Sequence, residues 1–437
     1  MRSSSELLST LGGSLALGTQ WWHATHSRSS SRSPDRRHVA LFSWALPPNS
    51  NAGVHRPLSF LRHGARLGWR FSTFQGVAPA NQSEHGEELL SRLPDGIRRT
   101  VVPDTRRPAS WRLFPKVDGS FANAVQAALL AFEHLRNDPP AMVLASGPPF
   151  SMFLTARWVA RHFGVPLVLD YRDEWTECPF DFVSAGPDDR RYEQACLAEA
   201  SAVIFTTESH REHQLRTFSG LSRERTHVLP NGWEPEDFAE PVGSATVLPR
   251  QGPLRLAHVG TLSGHTSPRH FVDALDAALA SAPEWRQKLR IEFIGRRSPR
   301  EHADLVQSRN ADLISIVDHV PKTEAVQRMQ AADALLLLAS ADLERYLPGK
   351  LFDYIAARRP VLVCGWPGES SHALVDQLGM GVLCQPDRPG AMLDALKMLE
   401  QRRNSPANSE VESWLNRHRR DVIAQQAFAL FGRICQA

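Results

Sequence analysis

The chain has 437 residues, and this length suits two domains of about 200 residues each. Apolar residues make up 42% and charged residues 22%, with a formal net charge of +3, so neither a disordered chain nor a strongly basic nucleic-acid-binding protein is indicated. The sequence contains no apolar run near the ~20 residues that cross a bilayer.

Residues 1–37 differ in composition from the rest. They are rich in Ser and Arg, and their apolar stretch at residues 7–17 is short, contains two glycines and lacks a clear cleavage site after it. We predict a disordered extension, with a targeting peptide as the alternative. The five cysteines are scattered without C-x-x-C spacing, which indicates reduced thiols rather than a zinc site or disulfides: Cys178, Cys196, Cys364, Cys384 and Cys435.

From residue 38 onward, apolar strands alternate with amphipathic helices. This alternation is typical of a parallel sheet covered on both faces, and it predicts an N-terminal domain over residues 38–235. The stretch 76–118 is rich in Pro and Arg with little periodicity, and we predict a long variable loop or insertion there. The predicted strands are 38–44, 69–74, 142–145, 166–170, 202–206 and 227–229, and the predicted helices are 56–67, 121–135, 150–163, 189–200 and 208–218.

The same pattern starts again after a predicted linker at residues 236–252. It predicts a C-terminal domain at 253–408 and a helical segment at 409–437 that packs back on the N-terminal domain. We therefore expect an α/β protein of two tandem doubly wound Rossmann-like domains facing across a cleft. Ligands of such sheets bind beyond the carboxyl ends of the strands, so the cleft is the expected site. The predicted strands are 255–259, 290–294, 314–317, 334–338, 361–363 and 382–384, and the helices are 271–280, 322–331, 351–357, 371–377 and 391–401.

The most informative stretch is Tyr-Leu-Pro-Gly-Lys-Leu-Phe-Asp-Tyr-Ile-Ala at residues 346–356. Its Pro-Gly pair predicts a turn into a helix whose first N–H groups are open, and such a helix start attracts anions. Lys350 adds a full charge at this end, and Asp353 lies one helical turn further on. Donor-binding roles for Gly349, Lys350 and Asp353 compete with a simple surface Lys–Asp helix pair.

Together with the Arg-Pro-Val-Leu that follows at 359–362, this stretch resembles the donor-site signature of family four retaining nucleotide-sugar glycosyltransferases, which have the two-domain fold called GT-B. The resemblance implies that Asp353, usually Glu in the family, binds the donor ribose. It also implies that Lys350 lies near the donor diphosphate, where we predict a catalytic role for its charge. The family's earlier Glu falls on Arg345 in this chain.

A second resemblance lies at residues 257–262, Ala-His-Val-Gly-Thr-Leu. It is similar to the first strand and loop of the family's C-terminal domain, where backbone N–H groups approach the phosphates, which makes Gly260 and Thr261 candidate donor-binding residues. Many members carry Arg at the Thr261 position. The positive charge is then expected from Arg269 or from Arg296, each with solvation on the surface as the alternative.

In the N-terminal half, residues 169–175 read Leu-Asp-Tyr-Arg-Asp-Glu-Trp and begin on a predicted strand. Four charged residues beside two aromatics at a strand end favour a polar site over a core. The stretch resembles the Asp-x-Arg-Asp-x-Trp motif of a bacterial branch of the same family. We predict catalytic roles for Arg172 and Asp173, with an Arg–Asp pair that braces the loop as the alternative.

Two further loops of the N-terminal half match the same branch. Ser146 and Gly147 follow a predicted strand, and Gly53 and Arg56 follow the first one. A Gly in that first loop allows the backbone to approach donor and acceptor. These four residues are therefore predicted acceptor or loop residues.

The resemblance implies an enzyme that transfers a hexosyl group with retention from a nucleotide diphosphate sugar to an acceptor hydroxyl, in the synthesis of a cell-surface polysaccharide or glycolipid. It implies no cofactor and no metal, and no partner among nucleic acids. The expected acceptor is a glycan or a lipid-linked sugar, and the expected location is cytoplasmic, at the inner face of the membrane. The alternatives are a non-hydrolysing nucleotide-sugar epimerase and an inactive sugar-nucleotide-binding relative.

Overall fold

The computed structural model describes residues 35–79, 86–104, 117–119, 121–238, 251–340, 344–367, 370–405 and 408–436. These residues form two compact units, one up to Leu229 and from Ala424 onward, the other over Pro230–Ile423. Most of the predicted N-terminal extension (1–34) and of the predicted linker (239–250) lies outside the described residues. None of the helices in the described ranges combines the length and apolar character needed to cross a membrane.

The first unit is built on a seven-stranded parallel sheet with the strand order β3-β2-β1-β4-β5-β6-β7. Its strands are β1 His38–Phe42, β2 Arg70–Gly76, β3 Arg98–Val102, β4 Met142–Gly147, β5 Leu167–Tyr171, β6 Ala202–Phe205 and β7 Thr226–Val228. Its helices are α1 His55–Arg66, α2 Gly86–Ser91, α3 Phe121–His134, α4 Ser151–Phe163, α5 Asp189–Glu199 and α6 Glu208–Thr217.

The central strands of this sheet are the apolar runs of the sequence. Every residue of β1, β4 and β5 is buried, because helices cover both faces of the sheet. The stretch 76–118, predicted as a long variable loop or insertion, contains helix α2 and strand β3. β3 is an edge strand whose residues are mostly exposed, so its sequence, Arg-Arg-Thr-Val-Val, lacks the apolar run that marks a central strand.

The second unit repeats the architecture with a six-stranded parallel sheet in the order β10-β9-β8-β11-β12-β13. Its strands are β8 Leu254–Val259, β9 Leu289–Ile294, β10 Ile314–Val317, β11 Ala334–Leu338, β12 Val361–Cys364 and β13 Gly381–Cys384. Its helices are α7 Arg269–Ser281, α8 Trp285–Lys288, α9 Pro299–Val306, α10 Lys322–Ala331, α11 Gly349–Ala356, α12 Ser370–Gln377, α13 Ala391–Arg402 and α14 Ser409–Arg417.

The last helix, α15 Arg420–Ile434, supplies aromatic residues to the core of the first unit. Phe428 packs against Trp69 with ring centroids 5.3 Å apart, and Phe431 lies 6.4 Å from Phe60. Helix α14 belongs to the second unit, where the Leu415 carbonyl accepts a hydrogen bond from the Trp233 indole at 2.8 Å. The C-terminal segment is therefore divided between the two units.

Strand order reverses between β1 and β4 in the first sheet and between β8 and β11 in the second. The carboxyl ends of the strands at such reversals are where doubly wound sheets bind ligands. The predicted fold class of two parallel-sheet α/β domains is confirmed.

Candidate active site

Polar side chains occupy the reversal point of the second sheet. β8 and β11 stop pairing after Ala257. Beyond it, the Tyr354 hydroxyl accepts a hydrogen bond from the Val259 N–H at 2.8 Å and donates to the Val259 carbonyl at 3.1 Å. The buried His258 ring reaches the Leu336 carbonyl of β11 at 3.0 Å from Nδ1. Two side chains thus make hydrogen bonds where the ladder between the strands ends.

The turn that follows β8 depends on glycine. Gly260 has a φ of 147°, in the region that favours glycine, and so does Gly295 after β9, with a φ of 135°. A Cβ atom on Gly260 would lie 2.8 Å from the Lys350 Nζ atom, and one on Gly295 would lie 2.4 Å from the Gly260 carbonyl oxygen. The two turns are therefore packed backbone to backbone, with the Lys350 amine directly against the first of them.

Lys350 lies in the first turn of α11, as predicted from the Pro-Gly pair. The N-cap residue of this helix, Pro348, makes no side-chain hydrogen bond to the helix start. The Lys350 Nζ atom lies 3.4 Å from His258 Nε2, and among the described residues the amine has no carboxylate partner. Burial lowers the pKa of Lys350 to about 8. An amine so placed, beside an uncapped helix start, suits an anionic ligand.

Asp353 does not form the helix pair with Lys350 that was the alternative for this motif. Its carboxylate accepts a hydrogen bond from the Lys322 ammonium of α10 at 2.5 Å, and both side chains are 14% exposed. Asp353 is therefore held at one end of an ion pair that leaves the Lys350 amine without this carboxylate.

The other predicted donor-side residues lie in the same unit, Thr261 and Arg296 just after strands β8 and β9 and Arg269 at the start of α7. Arg269 is exposed and pairs with Asp273 at 3.1 Å and Asp304 at 3.3 Å, as its surface interpretation predicted. Arg296 is half-buried two residues after β9, and Thr261 is exposed directly after Gly260. Among the basic residues considered for the phosphates, Lys350 brings its amine against the Gly260 turn, and Arg296 accepts a hydrogen bond from the Leu262 N–H at 2.9 Å through its carbonyl.

In the first unit, Arg56 and Asp170 form a buried ion pair. Arg56 donates from Nε at 3.0 Å and from Nη2 at 2.8 Å to Asp170 Oδ1, and the Ser146 hydroxyl donates to Oδ2 at 2.7 Å. Asp170 is fully buried and Arg56 nearly so. The ion pair joins α1 to the end of β5, and the Ser146 hydroxyl adds the end of β4. Arg56 and Ser146 therefore stabilise the loops after these strands from their buried side.

Arg172 fastens three loops by their backbone. Its guanidinium donates to the Gly147 carbonyl at 3.0 Å, to the Gly53 carbonyl at 2.6 Å and to the Pro148 carbonyl. A Cβ atom on Gly53 would lie 2.2 Å from Arg172 Nη1, so any side chain at residue 53 would displace the guanidinium. The loops after β1, β4 and β5 therefore meet on one side chain, at the reversal point of the first sheet.

Asp173, the next residue, is a half-buried carboxylate without a hydrogen bond or ion pair to other described residues. Burial raises its pKa to about 6, and the Arg172 charge opposes this shift. A half-buried carboxylate with a raised pKa, placed just after the end of a strand, fits a ligand-binding role.

The motif at 169–175 is divided between core and site. Tyr171 and Trp175 are fully buried, and the Trp175 ring stacks on Phe150 with centroids 5.3 Å apart. The expectation of a polar site was therefore wrong for these two aromatics, which belong to the core under the loop. Arg172 and Asp173 are the partly exposed members of the motif.

Three residues of these sites had no predicted role. His258 interrupts an apolar strand and Tyr354 follows Asp353 in the helix, but neither signal identifies a partner across the sheet. Lys322 lies 31 residues before Asp353, and no sequence spacing indicates that two helices bring them together.

Known proteins similar to this chain include one family and several solved structures. Residues 51–232 match the family described as glycosyl transferase 4-like domain. No curated protein sequence matches the chain significantly. The structure is similar to sucrose-phosphate synthase from Thermosynechococcus elongatus, at 16% identity over 91% of this chain and 99% of that one, with a TM-score of 0.67.

Two other similar structures are named with their ligand or product. HepE of Anabaena in complex with UDP and glucose is 14% identical over 91% of this chain and 100% of its own, with a TM-score of 0.64. The UDP-forming trehalose-phosphate synthase of Burkholderia vietnamiensis is 12% identical over 90% and 99%, with a TM-score of 0.61. At these identities the likeness shows the fold, which is that of GT-B glycosyltransferases. The family match and the fold together indicate a glycosyltransferase.

Proposed function

We propose that the chain is a retaining glycosyltransferase that transfers a sugar from a nucleoside diphosphate sugar to an acceptor hydroxyl. The observation that carries the proposal is the Lys350 amine, which lies against the Gly260 turn at the start of α11. UDP is the first donor nucleotide to test, because HepE is described in complex with UDP and with UDP-glucose.

The donor diphosphate is proposed to bind where β8 ends and α11 begins. The open N–H groups of a helix start and a lysine ammonium are the groups that bind phosphate oxygens. Binding of a dianion stabilises the charged form of Lys350 and offsets the cost of burying it. Asp353, held by Lys322, is proposed to accept hydrogen bonds from the donor ribose.

Transfer with retention is proposed to proceed through an oxocarbenium-like transition state. The bond from the anomeric carbon to the diphosphate oxygen breaks, the acceptor oxygen bonds to the same face, and the diphosphate takes the acceptor proton. Charge that develops on the diphosphate is stabilised by fixed donors, namely the helix start and Lys350. No metal is required in this proposal, so EDTA is expected to leave the rate unchanged.

The test of the donor site is the melting temperature with and without UDP. Wild-type protein is expected to melt higher in UDP, since a ligand of the folded state stabilises it by mass action, and Lys350→Met should lose this increase. Lys397→Met is the matched control, because Lys397 is exposed on α13. An equal UDP effect in Lys350→Met would contradict the proposed site, and a screen of other nucleoside diphosphates covers another base.

Asp173 is proposed to position the acceptor hydroxyl, and this role predicts a pH dependence. Since burial raises its pKa to about 6, the ionised form is lost as the pH falls through 6, and turnover should fall with it. Asp173→Asn should lower turnover by about 10-fold at pH 7.5 and remove this acidic limb. Steady-state rates between pH 5 and 8 measure both effects. The control is Asp181→Asn, which changes an exposed residue. If Asp173→Asn kept the fall in turnover at acidic pH, that fall would belong to another titrating group.

The acceptor is proposed to be a glycan or a lipid-linked sugar at the inner face of the membrane. Flotation with anionic liposomes at low salt tests the membrane part, and absence of binding would remove it.

Incubation with UDP-glucose alone tests the other enzyme class, because an epimerase would isomerise the sugar without an acceptor. Nucleotide binding without transfer to any acceptor would indicate an inactive relative.

A further inference from the structure

The starting observation is a chain of contacts from β11 to Lys350. The His258 ring is fully buried, with Nδ1 3.0 Å from the Leu336 carbonyl and Nε2 3.4 Å from Lys350 Nζ. A carbonyl oxygen only accepts, so Nδ1 carries the proton and Nε2 presents a lone pair to the ammonium. Burial and the Lys350 charge lower the pKa of His258 well below its ordinary value, which keeps the ring neutral.

Neighbouring groups pack against the His258 ring and bind the backbone beside it. Phe293 of β9 lies with its ring centroid 5.6 Å from that of His258, and Tyr354 of α11 binds the backbone of the next residue, Val259. The Lys350 amine also lies against Gly260, where no side chain intervenes. Among the described residues, a glycine and an imidazole nitrogen therefore both contribute to the position of the ammonium.

We infer that His258 is a positioning residue, whose Nε2 atom fixes the Lys350 ammonium beside the Gly260 turn and leaves its other N–H bonds to donate to a phosphate. The inference rests on the proposed function and adds a residue to that site. His258 itself does not reach the ligand in this arrangement, because the ammonium lies between them.

Two substitutions separate positioning from a purely structural role. Asn at 258 has its amide N–H near the place of Nδ1, so it keeps the bond to Leu336 but loses the acceptor for Lys350. Gln extends one bond further and brings an amide oxygen near the place of Nε2. Positioning therefore predicts a defect in His258→Asn that His258→Gln largely rescues, whereas a structural role predicts the reverse order.

The first measurement needs no ligand. The chain has five lysines, and competitive acetylation followed by peptide mass spectrometry gives a labelling midpoint for Lys350 against pH. The neutral acceptor stabilises the ammonium, so the midpoint should fall in His258→Asn and stay near the wild-type value in His258→Gln. An unchanged midpoint in His258→Asn, or an equal fall in both variants, would overturn the inference.

The second measurement is kcat/KM for the donor, which should fall about 10-fold in His258→Asn and recover in His258→Gln. In a Lys350→Met background, His258→Asn should cause no further loss, because the partner is gone. An additive loss in that background would overturn the inference. If wild-type protein binds no nucleoside diphosphate, the proposed function fails, while the labelling result still decides the His258–Lys350 contact.

Discussion

Lys350→Met is expected to lower turnover by about 10² or more, because it removes the ammonium that is proposed to stabilise charge on the departing diphosphate. The effect should appear in kcat as well as in kcat/KM, since the leaving group gains charge in the transition state. Steady-state kinetics with the donor identified by the UDP experiment measure it. Lys397→Met, on the exposed face of α13, should retain the wild-type rate.

Stability distinguishes this loss from misfolding. In the folded protein the pKa of Lys350 is about 8, below its ordinary value of 10.5, so the unfolded chain binds this proton more tightly. The free energy of unfolding should therefore gain from Lys350 as the pH rises from about 8 to 10.5, and this gain should be absent in Lys350→Met. A variant that is at least as stable as wild type at pH 7 but inactive supports the catalytic role. Near-normal turnover would contradict it.

Arg56→Met should destabilise the first unit by about 3–5 kcal/mol, because it leaves the fully buried Asp170 carboxylate without its cationic partner. Denaturant unfolding followed by a probe in the first unit measures the change, since a protein of two units need not unfold in one step. The exposed Arg161 is the control: Arg161→Met should change the free energy of unfolding by less than about 1 kcal/mol.

A double variant tests the cause of this loss. Arg56→Met with Asp170→Asn removes the charge left behind while Asn can still accept from the Ser146 hydroxyl. Much of the stability should return, because neutral partners avoid the cost of an unpaired buried charge. If the double variant were no more stable than Arg56→Met alone, lost packing of the Arg56 side chain would be the cause instead.

The fold could be predicted from the sequence because the spacing of apolar residues follows the buried faces of the strands and helices. The central strands are continuous apolar runs, and both sheets follow from them. It was insufficient for β3, whose Arg-rich edge position leaves no such run. The role of His258 at the end of β8 was also missed, because a single His in an apolar strand is typical of many buried positions.

For the candidate site, sequence indicated the loops but not which atoms meet. Lys350 lies at a helix start and Asp173 just after a strand, as predicted, and parallel strands bring their carboxyl ends to one edge of a sheet. The partner of Asp353 is Lys322 on another helix, and the partners of Arg172 are backbone carbonyls. Every residue has a backbone carbonyl, so the residue types in a sequence do not show which carbonyls accept hydrogen bonds from Arg172.

The contacts of Arg172 have a consequence for how this protein can diversify. Because the guanidinium binds main-chain oxygens, it fixes the course of the loops after β1 and β4 while placing little demand on their side chains, except at Gly53. The contacts of Arg172 themselves therefore tolerate any side chain in these loops that leaves the backbone in place and keeps glycine at residue 53. Under the proposed function, a change of acceptor at such a position would require no change in Arg172.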